Sequence, residues 1–419
     1  MKKFLVLVVL ILIGVFAYYK YFYTKDNIYE VLDNTEEESF YVDNYSIFGQ
    51  YLNINSCIDK ILDGEVFLVL KNNKEEIKLN TNFINGEKTC FGVSINNKDG
   101  ISLDDLKQGN YLMLVKQVMG EEEKYYNLIN KTEYNDLTYY TITKDDQNNE
   151  ISIKFDNYND KGYLNISIKQ KELPDDVYDI TIDPGHGGKD PGTSFKLDDT
   201  VYNESEITLN ISLKLKKHLE DLGLKVKITR DRDIDLDNYG DNGRSVIPNK
   251  TKSKYSISIH VNSLDGKMTY GGVEVYTPND IDYTLSKLFA DNISEIVGYS
   301  KKGIGKLYDG VYYTYFTKED IKNAKEEMIS KNYEPYEIVE GSPYMFMIRE
   351  VGGLTTHAYV DGRNEVHGKN IYYNSNQTAE PYLIELGYIN YEKDLENLTN
   401  REDAFAKAIS NAIEEYLDI

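Results

Sequence analysis

The chain has 419 residues, 41% of them hydrophobic, and a formal net charge of −23. That length exceeds one ordinary hydrophobic core and predicts two folded domains with connecting segments, while the hydrophobic fraction excludes wholesale disorder. The strong negative charge, without a lysine- or arginine-rich run long enough to follow a phosphate backbone, argues against nucleic acid as a partner.

The N-terminus carries a targeting segment. Lys2 and Lys3 precede an uninterrupted apolar run, Phe4–Tyr19, which Lys20 follows. This run is near the lower length limit of a spanning helix and longer than most signal-peptide cores, so we predict a membrane anchor over residues 1–23. A cleaved signal peptide is the alternative. Because Lys2 and Lys3, which precede the run, should stay inside, both alternatives put the remaining chain outside the cytoplasm, and an anchor would hold it to the cell membrane by a single pass.

Residues 24–44 are acidic and polar and predict a solvated linker. Over residues 45–170, short runs rich in Val, Ile, Leu, Phe and Tyr alternate with Asn, Gly and Asp turns, which predicts a β-rich, sandwich-like accessory domain. This stretch contains no histidine, so we expect no catalysis there. Cys57 and Cys90, the only cysteines, either form one disulfide or stay as two buried thiols.

Residues 175–419 alternate strand-like and helix-like segments, which predicts an α/β domain with a largely parallel, twisted sheet flanked by helices. Ligands of such sheets gather at the carboxyl ends of the strands. Strands are expected at 178–182, 224–229, 255–260, 272–277, 344–349 and 382–386, and helices before Gly223, at 318–331 and at 401–417.

Two histidines follow predicted strands. His186 lies in the glycine-rich turn Asp183–Gly188, and His260 ends the strand in Ile257–Ser263. No Gly-Lys-Ser/Thr sequence follows the turn, which argues against a phosphate-binding loop. A lone histidine at a strand end is usually structural, but two at neighbouring strand ends converge in space and favour a metal site.

Zinc hydrolases commonly add a carboxylate as third ligand and leave one position open for water. Glu204 and Glu206, at the start of the predicted helix, are the candidates. With Asn203 as the N-cap, Glu206 would also fit the third helical position, where acids act as capping partners.

A further acid, Glu385, stands inside the apolar strand Tyr382–Ile389. Burying such an acid costs free energy of folding, so it is expected to be paired with another group or to have a catalytic role. It could take a proton from a water and pass it to a leaving nitrogen, with a pKa raised by partial desolvation. The alternative is a buried salt bridge, for example to Arg349.

Together these residues resemble one family. From about Tyr178 to the end, the chain is similar to the zinc-dependent N-acetylmuramoyl-L-alanine amidases of bacterial cell walls, the amidase 3 type. The matching pieces, in order, are residues 180–192, Glu206 with Asn210, residues 228–231, Arg244 with Asn249, residues 258–262, residues 272–276 and residues 384–389.

The resemblance implies that His186, Glu206 and His260 hold zinc and that Glu385 is the general base. It also implies a peptidoglycan substrate, cleaved between muramic acid and L-alanine. The loop before the acid is longer than usual in the family, so Glu204 stays an alternative ligand; Glu206 is preferred because Asn210 follows it at the family's spacing.

A long insertion, at about residues 278–380, departs from the family pattern. Family members can carry a helix here that blocks the cleft until a partner protein removes it, and Glu326 and Glu327 could then contact the metal. A solvated acidic helix face is the alternative. His357 and His367 also fall in this insertion and are expected to be loop or substrate-contact residues. A non-catalytic or autoinhibited wall-binding protein under the control of a partner is therefore the alternative function.

Overall fold

The computed structural model describes residues 28–93, 101–141, 148–266, 270–298, 307–332, 335, 337–358 and 370–419. The described chain forms two compact units. The first comprises the described residues among 28–46, 52–141 and 149–170; the second comprises residues 47–51, residue 148 and the described residues among 171–419. The predicted anchor, residues 1–23, lies outside the described residues. Within the described part, no helix has both the length and the apolar character needed to cross a membrane.

The first unit is built from β-strands. They follow one hydrogen-bonded order, β10-β11-β12-β8-β9-β1-β2-β6-β5, with β3, β4 and β7 attached beside it. Neighbours such as β11 and β12 run antiparallel, whereas β1 and β9 are parallel. The strands are β1 (Phe40–Phe48), β2 (Tyr51–Ile58), β3 (Glu65–Lys71), β4 (Glu76–Leu79), β5 (Phe83–Asn85), β6 (Thr89–Val93), β7 (Ile101–Ser102), β8 (Gly109–Met119), β9 (Glu122–Asn130), β10 (Asp136–Tyr140), β11 (Asn149–Tyr158) and β12 (Lys161–Gln170).

Cys57 and Cys90 form a disulfide across the antiparallel pair β2–β6, in which they are direct register partners. The predicted β-rich character of this part is confirmed. The short apolar runs alternate between a buried and a more exposed face, as residues 149–158 and 161–170 do, because successive side chains of a strand point to opposite sides.

The second unit is an α/β domain, as predicted. Its six-stranded sheet has the order β16-β13-β17-β21-β18-β19. The first four of these strands are parallel, and β18 runs antiparallel to β21. The strands between residues 180 and 388 are β13 (Ile180–Pro184), β14 (Ser194–Leu197), β15 (Thr200–Asn203), β16 (Val226–Ile228), β17 (Tyr255–Asn262), β18 (Glu274–Tyr276), β19 (Val311–Tyr312), β20 (Gln377–Thr378) and β21 (Glu380–Tyr388). Of these, β14 and β15 pair with each other as a separate hairpin, and β20 lies outside the six-stranded sheet.

Helices pack against this sheet, and the larger of its two apolar cores joins strand and helix side chains. Strand residues such as Ile182, Ile257 and Ile384 pack there with helix residues such as Ile211 and Ile409. The helices are α1 (Glu204–Asp221), α2 (Ile247–Lys250), α3 (Thr284–Ile293), α4 (Lys318–Ser330), α5 (Phe346–Val351), α6 (Glu392–Asn400) and α7 (Glu402–Leu417).

One predicted strand is wrong. Residues 344–349 do not extend the sheet, and the helix α5 begins at Phe346 instead. The apolar residues Met347, Ile348 and Val351 are spaced to share one helical face, and this face packs against Leu383 of β21. The helix therefore covers the sheet face that carries the odd-numbered residues of β21.

Candidate metal centre and catalytic site

The site lies where three parallel strands end. His186 follows β13, His260 lies near the end of β17, and Glu385 lies on β21. Strand β17 pairs with both β13 and β21, so the three segments are adjacent in the sheet. Because His260 and Glu385 are register partners in a parallel pair, their side chains leave the sheet on the same face.

Two buried arginines fix the turn that carries His186. Arg230 donates hydrogen bonds to the carbonyls of Pro184 and Gly185, at 3.0 and 2.8 Å. Arg244 donates to the carbonyl of His186 at 3.0 Å and pairs with the fully buried carboxylate of Asp183 at 3.2 Å. His186 itself has a φ of +60°, a strained conformation for a residue with a Cβ. Such strain persists only where the surrounding structure enforces it, which is typical of functional turns.

Glu204 completes a three-residue cluster with the two histidines. One potential ligand atom from each of His186, Glu204 and His260 lies within 4.8 Å of the other two. The carboxylate of Glu204 lies 3.2 Å from His186 Nε2 and 3.0 Å from His260 Nδ1. Backbone N–H groups of Thr193 and Val261 donate to its two oxygens, both at 2.9 Å. Two imidazoles and one oriented carboxylate form a donor set that suits a metal ion such as zinc.

The structure places Glu204, the alternative candidate, and not Glu206 beside the two histidines. Helix α1 begins at Glu204 with Asn203 as its N-cap. Residues two apart in a helix point in nearly opposite directions, so Glu206 is exposed while Glu204 is buried against the histidines. The long loop before the acid folds as the hairpin β14–β15, which delivers Glu204 to the strand ends. Asn210 does not reach the site either, because its side chain donates to Glu402 of α7 at 3.0 Å.

Two glycines allow the cluster to close. A Cβ on Gly192, whose φ is +66°, would lie 2.5 Å from a Glu204 carboxylate oxygen and 2.6 Å from the His186 ring. A Cβ on Gly185 would lie 2.5 Å from the His260 ring. Both separations are far below van der Waals contact, so any larger residue would displace a potential metal ligand.

The charges of the cluster support one another. Burial raises the pKa of Glu204, but its hydrogen bonds to His186 and His260 outweigh burial and hold that pKa well below the ordinary value. Burial lowers the pKa of His186, yet Glu204 and Asp190 raise it overall. Asp190 Oδ2 lies 2.7 Å from His186 Nδ1, which leaves Nε2 toward the cluster. Second partners of this kind orient ligand imidazoles in metal sites.

Glu385 lies beside this cluster and lines the same cavity as the two histidines. Its Oε2 is buried and accepts no hydrogen bond within the described residues. Burial, followed by the negative charges of Glu204 and Glu274, raises the pKa of Glu385 well above its usual range. The alternative of a salt bridge to Arg349 is not what the structure has, since that guanidinium donates to the carbonyls of Pro343 and Tyr344.

Glu274 is a buried acid that sequence reasoning passed over. It is the direct partner of Glu385 in the antiparallel pair β18–β21. Its carboxylate accepts hydrogen bonds from the hydroxyls of Tyr276 and Tyr388 and from the amide of Asn262. Glu274 could have been recognised from the sequence in the same way as Glu385, because both are acids within short, otherwise apolar strand segments.

His186, His260 and Glu385 line one cavity of about 720 Å³. One wall is polar and carries the histidines with Lys189, Asp190 and the loop at residues 235–238. The apolar part of the lining consists of Met345, Phe346, Met347 and Leu383. Most of this apolar lining comes from the insertion, within the segment 344–349 that was predicted to be a strand.

The other candidates lie elsewhere. Glu326 and Glu327 are exposed and form ion pairs with Lys322 and Lys331 on their own helix, α4. His357 is exposed, outside the lining of this cavity, and His367 is outside the described residues.

Comparison with known proteins gives a consistent result. Residues 180–328 match the Amidase_3 family model, N-acetylmuramoyl-L-alanine amidase. The germination-specific N-acetylmuramoyl-L-alanine amidase of Bacillus subtilis is 31% identical over 124 residues, which are 27% of this chain and 50% of that protein. The sporulation-specific N-acetylmuramoyl-L-alanine amidase of the same organism is 24% identical over 233 residues, which are 54% of this chain and 80% of that protein.

Among solved structures, the amidase AmiC2 of Nostoc punctiforme is 21% identical, with a TM-score of 0.36, over 58% of this chain and 98% of that one. The matched region of this chain spans half the length of the germination-specific amidase and four fifths of the sporulation-specific amidase. The family match and these two relatives confirm the resemblance to the N-acetylmuramoyl-L-alanine amidases that the motifs indicated, and residues 180–328 carry an Amidase_3 domain.

Proposed function

We propose that this protein is a zinc-dependent peptidoglycan amidase that cleaves the amide bond between N-acetylmuramic acid and L-alanine of the stem peptide. One observation carries the proposal: a buried carboxylate and two imidazoles, all within 4.8 Å, stand beside the unpaired carboxyl oxygen of Glu385 in an open cavity. Zinc hydrolases use this combination of three protein ligands and a nearby acid–base group.

In this mechanism His186, Glu204 and His260 would hold the metal. Zinc would supply Lewis-acid polarisation of the scissile carbonyl and a water of lowered pKa. Glu385 accepts the proton of the attacking water and delivers it to the departing nitrogen, so that alanine leaves as a neutral amine. Asp190 keeps the His186 ring oriented, and the backbone N–H groups of Thr193 and Val261 keep Glu204 oriented.

The position of helix α4 does not support the hypothesis that this helix blocks the cavity. Its acids Glu326 and Glu327 are engaged with lysines of the same helix, and none of its residues lines the cavity. We therefore favour an active enzyme over a non-catalytic or autoinhibited wall-binding protein.

We further propose that the enzyme works outside the cytoplasm, held to the membrane by residues 1–23. The lysine-flanked apolar run supports this location. The disulfide between Cys57 and Cys90 is also typical of oxidising compartments. The β-rich unit would then lie on the cell-wall side of the membrane.

The deciding experiment is mass spectrometry of purified cell walls digested by the zinc-loaded protein. The proposal requires glycan strands with free lactyl carboxyls and intact stem peptides that begin with alanine. Release of single amino acids would instead indicate a carboxypeptidase. The Glu385→Ala protein is the control and should release neither product; equal release by this variant would contradict the assigned mechanism.

A further inference from the structure

The apolar wall of the cavity continues outward along the chain. Met345, Phe346 and Met347 line the cavity, and Tyr344, whose side chain is 53% exposed, directly precedes them. We call residues 344–347 the aromatic wall. It belongs wholly to the insertion, and it contains no charged side chain.

This wall is held rigidly. The buried Arg349 donates to the carbonyls of Pro343 and Tyr344 at 2.8 and 2.9 Å. The Tyr344 ring packs against Phe316 at a centroid distance of 4.8 Å, and the Tyr344 N–H donates to the carbonyl of Thr314 at 2.8 Å. A surface fixed in this way loses little conformational entropy when a ligand binds.

Phe346 is also braced by Tyr239, which directly follows the cavity-lining loop at residues 235–238. Its ring meets the ring of Tyr239 edge to face, with centroids 5.4 Å apart. Met347 lies beneath it in the small core with Leu383. Leu383 and Glu385 lie two residues apart on β21 and therefore point to the same side of the sheet. The aromatic wall consequently borders the reacting centre directly.

The two walls differ sharply in charge. The charged residues Lys189, Asp190, Asp235 and Asp237 line the cavity, whereas its lining residues from the aromatic wall, together with Leu383, are apolar. A stem peptide carries amide and ionised groups and suits the polar side. A sugar ring presents an apolar face of C–H groups, which packs on aromatic faces, and an acetamido methyl group, which packs on apolar side chains.

We propose that the aromatic wall is the sugar subsite, where Phe346 packs against the muramic acid ring and Tyr344 against the adjoining sugar of the glycan strand. This inference rests on the proposed function, which requires the sugar beside the scissile amide to lie next to Glu385. The charged stem peptide then lies along the polar wall. Phe346 is a specificity-determining residue, and the insertion supplies the glycan recognition of the enzyme.

The test measures binding without cleavage, in the zinc-loaded Glu385→Ala protein. Two probes are titrated: peptide-free N-acetylglucosaminyl-N-acetylmuramic acid and the free stem peptide. Phe346→Ala should weaken disaccharide binding about fivefold to tenfold and leave peptide binding unchanged. Phe346→Tyr, which keeps the ring, should bind as the parent does. Ile329→Ala is the matched control, since Ile329 is an exposed apolar residue of the same insertion, outside the cavity lining.

Hydrolysis gives a second readout. With an otherwise wild-type site, Phe346→Ala should raise KM for glycan-linked substrate several-fold with little change in kcat. If Phe346→Ala fails to fold, Phe346→Leu keeps most of the volume without the aromatic face and serves in its place. Unchanged disaccharide binding, or a loss confined to the stem peptide, overturns the sugar subsite. Failure of the wild-type protein to cleave any wall substrate would overturn the amidase function instead, while the binding titrations still report on the subsite.

Discussion

His260 and Glu385 are direct register partners in the parallel pair β17–β21. Neighbouring strands are separated by only about 5 Å, so a proposed metal ligand and the proposed base are fixed on one rigid sheet rather than on separate loops. Replacement of Glu385 should therefore leave the ligand cluster intact, because the strand backbone holds His260.

For Glu385→Gln, we expect unchanged zinc stoichiometry and a fall in kcat of about 10²- to 10⁴-fold, since the amide cannot transfer the proton. Elemental analysis and wall hydrolysis on the same preparation check this. Loss of zinc from the variant would mean that Glu385 is itself a ligand.

The two acids at the start of α1 make a matched pair. Glu204→Gln should weaken zinc binding by more than about a hundredfold, because it removes the charged ligand between the two histidines. Glu206→Gln changes an exposed side chain and should bind zinc as the wild type does. Competition with a chelator measures both affinities. The reverse pattern would restore Glu206 as the ligand.

Gly192 and Gly223 both adopt positive φ, at +66° and +87°, but they meet different surroundings. Gly192→Ala places a Cβ against Glu204 and His186 and should abolish stoichiometric zinc binding. A Cβ at Gly223 meets nothing within 4 Å, so Gly223→Ala should cost only about 1 kcal/mol of stability, from its backbone conformation. Zinc content and thermal unfolding separate the two effects. Normal zinc binding by Gly192→Ala would show that the cluster can relax.

Glu274 should influence the pH dependence of the reaction. Its negative charge contributes to the raised pKa of Glu385, after the larger effect of burial. Glu274→Gln removes that charge, so the pKa of Glu385 should fall and the base should be ionised at lower pH. We expect the acidic limb of the kcat/KM profile to move to lower pH. A shift in the opposite direction, with intact zinc content, would exclude this electrostatic influence.

Glu380 should make the stability of the protein depend on pH. Burial raises the pKa of Glu380 to about 8, so in the folded protein this carboxyl stays protonated at neutral pH. The unfolded chain releases the proton near pH 4.3, so stability decreases as pH rises from there to about 8, by up to about 1.4 kcal/mol per unit. The glutamine side chain of Glu380→Gln stays neutral at every pH. The stability of this variant relative to the wild type should therefore increase between pH 5 and 8. Urea unfolding at several pH values measures the free energy of unfolding of both proteins. A constant difference between wild type and variant over this pH range would contradict the prediction.

Sequence alone determined the features that depend on local pattern. The strand and helix periods predicted the α/β class, and the glycine-rich turn with His186, the strand end with His260 and the acid in β21 were all found this way. These features could be predicted because the carboxyl ends of neighbouring parallel strands must meet at one edge of the sheet.

Only the tertiary structure shows that Glu204, and not Glu206, lies beside the two histidines. The two acids are two residues apart, and the side that each faces depends on where α1 begins and how the β14–β15 hairpin delivers it. Tertiary packing also explains why residues 346–351 form a helix and not a strand. Met347, Ile348 and Val351 are buried on one helical face against β21. In both cases the deciding contacts join segments far apart in the chain, and no local pattern carries that information.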